Sequence, residues 1–119
     1  MTVGEIAKIL DAQVLCLAEK AGETVIETAC GCDLMSDVLS YMSGEGLLLT
    51  GLLNTQVVRT AEMMDFTCIV FVRGKVPDKP IIELARQKGI ILLATKLRMY
   101  HACGELYKNG LDPRRVAEK

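Results

Sequence analysis

A chain of 119 residues, half of them apolar and 24% charged, can bury one core but not two. Its formal net charge of −1 gives no basic face for a nucleic-acid backbone, and aromatic residues at 4% with no Trp give no platform for stacking bases. No apolar run reaches the roughly 18 to 20 residues that cross a bilayer, and Met1-Thr2-Val3-Gly4-Glu5 lacks the basic start and apolar middle of a signal peptide, so the expected location is the cytoplasm.

In chain order, Thr2-Val3-Gly4-Glu5 is a capping box that opens a short helix with Ile6, Ile9 and Leu10 inward. Residues 12–17 read as a first strand, and the β-branched stretch 24–30 reads as a second, stopping at Gly31-Cys32-Asp33. Leu34, Val38, Leu39 and Met42 fall on one helical face, which Gly44-Glu45-Gly46 ends. Leu47-Leu48-Leu49-Thr50 is a continuous apolar run of the kind found in strands buried on both faces. Asn54 caps a helix over 55–64, and Thr67-Cys68-Ile69-Val70-Phe71-Val72 is the next strand. Asp78-Lys79-Pro80 starts a helix that Gly89 ends. Ile90-Ile91-Leu92-Leu93-Ala94 is the last strand, followed by a helix over about 97–108.

This alternation predicts a single-domain α/β fold: a mostly parallel sheet of four to five strands flanked by helices. Its parts are an N-terminal helix and strands (1–29), a main β-α repeat region (30–108) and a polar tail (109–119) that carries Arg114-Arg115. The carboxyl ends of parallel strands share one edge, where ligands of such sheets sit. That edge gathers Asp33, Thr50, Gly51, Asn54, Arg73, Gly74, Lys75 and Thr95 as candidate ligand-binding residues, suited to a phosphorylated or nucleotide-like molecule.

Gly46-Leu47-Leu48-Leu49-Thr50-Gly51, Thr60-Ala61, Ile69-Val70-Phe71-Val72, Pro77, Gln87-Lys88-Gly89 and Ile90-Ile91-Leu92-Leu93-Ala94-Thr95 together resemble the DRTGG domain. That domain is found within long phosphotransacetylases and some regulatory pyrophosphatases, and its fold is similar to the N-terminal domain of HPr kinase/phosphorylase. The stretch from Gly31 to Leu39 is similar to short stand-alone members in anaerobic bacteria, some labelled serine kinases by similarity and some encoded near iron hydrogenases. The chain departs from many members by carrying Leu53-Asn54 for Asp-Arg and Arg73-Gly74-Lys75 for Thr-Gly-Gly. Near the last helix, Lys96-Leu97-Arg98-Met99-Tyr100 replaces their Thr-containing polar segment.

The residues themselves argue against catalysis. Gly74-Lys75 is followed by Val76 and preceded by Ile69 where a P-loop needs its first Gly, so no phosphate cradle is present. HPr kinase carries its P-loop in a separate domain. The sole histidine, His101, lies inside the last helix with no nucleophile placed beside it by the pattern. The five cysteines, Cys16, Cys30, Cys32, Cys68 and Cys103, sit mostly in apolar runs and read as small buried hydrophobes. Cys30-Gly31-Cys32 is read as a same-face core pair, with a metal or redox site as the rival reading if Cys68, Cys103 or His101 converge on it. Asp33 and Asp37 either complement a helix N-terminus or accept from a ligand; Arg73 and Lys75 either clamp a phosphate or are plain surface charges.

The expected function is therefore a non-catalytic regulatory or ligand-binding module with no cofactor. Its expected partners are a second copy of the chain and a small anion or nucleotide, with no nucleic acid and no membrane. The alternative is an accessory protein docking on a larger, hydrogenase-related enzyme through Met99, Tyr100, Leu106 and Tyr107.

Overall fold

The computed structural model of the chain describes residues 1–41 and 46–112. Met42, Gly44, Glu45 and the Arg114-Arg115 pair lie outside the described residues. The capping box forms as the sequence dictates. The Thr2 hydroxyl accepts from Glu5 N at 3.1 Å while Glu5 Oε1 accepts from Thr2 N at 3.3 Å, which starts α1 (Val3–Ile9). The remaining elements are β1 (Gln13–Cys16), a 3-10 turn (Ala18–Lys20), β2 (Ala29–Gly31), α2 (Met35–Tyr41), β3 (Leu47–Thr50), α3 (Thr55–Met63), β4 (Cys68–Phe71), α4 (Lys79–Lys88), β5 (Ile91–Ala94) and α5 (Met99–Lys108).

One five-stranded sheet runs in the order β1-β5-β4-β3-β2. β2 to β5 pair in parallel and in sequence order, and β1 closes the far edge antiparallel to β5. Because β2 to β5 advance in one direction, their crossover helices α2, α3 and α4 share one face. Leu48, Ile69, Phe71 and Leu92 meet Val38, Val57, Val58, Ala61, Ile81 and Ala85 there. On the other face Leu47, Leu49, Val70, Ile91 and Leu93 meet Val3, Ile6 and Leu10 of the α1 region and Ala102 and Leu106 of α5. Burial on both faces is why the three central strands read as unbroken apolar runs rather than alternating ones. Each large side chain fully removed from water there contributes roughly 1.5–3 kcal/mol.

The second strand is shorter than its β-branched sequence predicts. Only Ala29–Gly31 joins the sheet. Residues 24–26 are tied to the chain's start instead: Val3 N donates to Thr24 O at 2.9 Å and Ile26 N to Met1 O at 2.7 Å. Strand propensity was satisfied by an extended segment that pairs with α1's lead-in, an arrangement local propensity does not distinguish from sheet pairing.

Candidate functional site

Strand register puts the carboxyl ends of the parallel strands side by side. Thr50 is level with Phe71, and Phe71 with Ala94, so Thr50, Arg73 and Thr95 arise on one rim. Their side chains then diverge. Thr50 and Thr95 are buried, while Arg73 is exposed.

At the β2–β3 end, the Thr50 hydroxyl donates to Asp33 Oδ1 at 2.9 Å, and Gly51 N donates to the same oxygen at 2.7 Å. Asp33 thus fastens the loop before α2 to the end of β3, with its carboxylate exposed and neither bond using Oδ2. The Thr50 hydroxyl also accepts from Leu52 N at 3.2 Å. Asn54 is the N-cap of α3, its Oδ1 accepting from Val57 N at 3.1 Å. Asp37 sits in the first turn of α2, where a carboxylate complements the helix dipole.

At the β4–β5 end the two loops are laced together. Arg73 N donates to Leu97 O at 2.8 Å and Gly74 N to Thr95 O at 2.9 Å. Both Arg73 (φ +65°) and Gly74 (φ +71°) adopt the left-handed conformation, which a β4 exit turning sharply toward β5 requires and which is unfavourable for Arg. The Thr95 hydroxyl donates to Leu10 O at 2.7 Å and accepts from Leu97 N at 3.2 Å, so it anchors the end of α1. The Arg73 guanidinium folds back over Gly51, where an added Cβ would lie 2.9 Å from Arg73 Cζ.

This end of the rim is also where the chain's connections part company. α4 leaves β4 for one face of the sheet and α5 leaves β5 for the other. Adjacent parallel strands whose exits diverge open the crevice at which α/β sheets bind ligands. Four exposed cations lie on the loops that leave these two strands: Arg73 and Lys75 after β4, Lys96 and Arg98 after β5. Arg98 is the N-cap residue of α5 yet makes no side-chain cap bond. Lys96 and Arg98, which the sequence showed only as a departure from the family's Thr-containing segment, were not among its candidate ligand contacts.

Four of the five thiols are held protonated by burial. Cys30 and Cys32 pack against the same apolar cluster. Burial pushes the Cys30 thiol up, with the Cys32 and Cys103 thiols adding to the rise. Burial likewise raises Cys16, Cys68 and Cys103. Among the described residues no group of three or more His, Cys, Asp or Glu side chains could hold a metal ion. His101 is exposed and faces Glu105 Oε1 at 3.5 Å on its own helix. Among the described residues no helix is long and apolar enough to cross a membrane.

The fold is similar to a solved structure, that of the CBS and DRTGG domains of the regulatory region of Clostridium perfringens pyrophosphatase complexed with its activator, diadenosine tetraphosphate. The two share 17% sequence identity and a TM-score of 0.71, over 88% of this chain and 45% of that one. The chain therefore spans less than half of that structure. No curated protein matches the sequence. The family model for the DRTGG domain matches residues 5–107, and the chain belongs to the DRTGG domain family.

Proposed function

We propose that the chain is a non-catalytic regulatory module that binds a phosphorylated or nucleotide-like small molecule at the β4–β5 end of its rim. The observation that carries this reading is the exposed Arg73, which leaves the end of β4 beside the point where α4 and α5 diverge and lays its guanidinium against Gly51 on the β3 side. A planar guanidinium presents paired donors that match phosphate oxygens, and a site of this kind lies where α/β sheets take ligands. Asp33, Thr50, Asn54 and Thr95 act in this reading mainly as the frame. Their polar atoms hold the loops from which Gly51, Arg73, Gly74 and Lys75 project. The structural likeness to a nucleotide-activated regulatory region supports it through the shared fold. Titration calorimetry and thermal shift with a panel of phosphorylated metabolites and nucleotides test it. Heat and stabilisation by a panel member, abolished by Arg73→Ala, are expected; silence across the panel overturns the reading.

A second reading is favoured by α5. Tyr100 is 91% exposed and Tyr107 48%, with Gly104 between them in open space. Leu106, expected on this surface, is instead buried in the core, and Met99 is half-buried against it. Exposed aromatics beside a side-chain-free position suit a protein contact, either with a second copy or with a larger enzyme. Sedimentation of the wild type against Tyr100→Ser/Tyr107→Ser separates a dimer from a monomer. Co-purification of one stable enzyme partner, lost in the same variant, selects the enzyme contact.

A further inference from the structure

We infer that the molecule taken by this rim carries two or more linked phosphates, gripped by Arg73, Lys75, Lys96 and Arg98, while Asp33 accepts from a hydroxyl or amino group on its remaining part. The inference rests on the binding role proposed above and narrows its chemistry.

Charge carries the argument. Elsewhere on the chain Arg86 is matched with Glu83 at 3.5 Å, Lys88 with Glu62 at 3.1 Å and Lys108 with Glu105 at 3.7 Å, while Lys8, Lys20, Arg59 and Lys79 stand singly on other elements, so what sets the rim cations apart is that they share two joined loops. Among the described residues none of the four rim cations is in an ion pair. The backbone bonds from Arg73 to Leu97 and from Gly74 to Thr95 nonetheless hold their loops in contact, so like charges are gathered where a solvated surface would disperse them. A phosphomonoester brings about −1.5 to −2 charges at neutral pH, enough for roughly half of the set. Balancing all four takes a chain of phosphates rather than one.

The other end of the rim has the opposite character. Asp33 is exposed, and both of its bonds to the β3 end use Oδ1, which leaves Oδ2 to accept. Arg73 bridges the two ends, because its guanidinium lies on Gly51 and Gly51 N is bonded to Asp33. A nucleoside polyphosphate presents both chemistries in one molecule. Inorganic polyphosphate presents only the first.

The test is calorimetric titration of the full chain with AMP, ADP, ATP and inorganic tripolyphosphate at low and moderate salt. Affinity is expected to rise from AMP to ADP to ATP and to fall with salt. Lys96→Ala and Arg98→Ala should each weaken ATP by up to about tenfold per charge-assisted bond lost, and Lys88→Ala, at the opposite end of α4, should leave it unchanged. Asp33→Asn should weaken ATP and leave tripolyphosphate unaffected if the nucleoside is the source; equal binding of both ligands to wild type and Asp33→Asn overturns the Asp33 assignment. If AMP or another monophosphate binds as tightly as ATP, with Arg73→Ala still abolishing binding, the polyphosphate inference falls while the rim remains a ligand site. If nothing phosphorylated binds at all, the rim reading and this inference fall together.

Discussion

The head of the Arg73 side chain occupies the space into which a side chain on Gly51 would grow, with Arg73 Cζ 2.9 Å from the position of an added Cβ. The two residues lie on neighbouring strand ends, and the absence of a side chain at one sets the position of charge from the other. Gly51→Ala is therefore expected to act on binding more than on folding. The arginine can swing away at little cost, so stability should stay within about 0.5 kcal/mol of wild type. The guanidinium would leave the β3 end, and ligand affinity should fall as far as in Arg73→Ala. Paired thermal melts and titrations check both halves.

Thr95 has the opposite balance. Its hydroxyl serves Leu10 O and Leu97 N and is nearly inaccessible. Thr95→Val keeps the shape and removes both bonds, which strands a carbonyl and an N–H near the core. A loss of about 1–3 kcal/mol is expected in urea unfolding.

Asn54 separates capping from ligand contact. Asn54→Ala removes the bond to Val57 N and should cost about 1 kcal/mol, with Asn54→Ser recovering most of it. If both variants bind the ligand equally once folded, Asn54 is a cap and nothing more.

Stability should also fall in alkaline solution. Burial raises the thiol pKa of Cys16, Cys30, Cys68 and Cys103 in the folded chain. In the unfolded chain the same thiols ionise as pH passes about 8.5, while the folded ones keep their protons. The folded state thus holds its full advantage below that pH and loses it as pH rises. The urea midpoint is expected to be lower at about pH 10 than at about pH 8. Cys68→Ala, at a fully buried site, should flatten that dependence even though it opens a small cavity.

The sequence was most legible where one residue type does one local job. Thr2 with Glu5, Asn54, Asp78 and Gly89 mark helix ends in the sequence and mark them in the structure. The runs at Leu47, Cys68 and Ile91 announce strands buried on both sides. What stayed hidden depends on partners remote in the chain. The pairing of residues 24–26 with Met1–Val3 competes with sheet formation on equal local terms. That Thr95 turns inward to Leu10, 85 residues away, is a fact of tertiary packing. The rim and its residues Arg73, Lys75 and Lys96 could be drawn from strand order, but the bonds that join the two loops carrying them could not.

The lacing of the two loops makes the rim mechanically continuous with the outer surface of the molecule. Arg73 and Gly74 grip the peptide groups of Leu97 and Thr95, and Met99 begins the helix that bears Tyr100 and Tyr107. A displacement of the Arg73 backbone would pass through these bonds to the base of that helix, and from there to the flank that carries the two tyrosines.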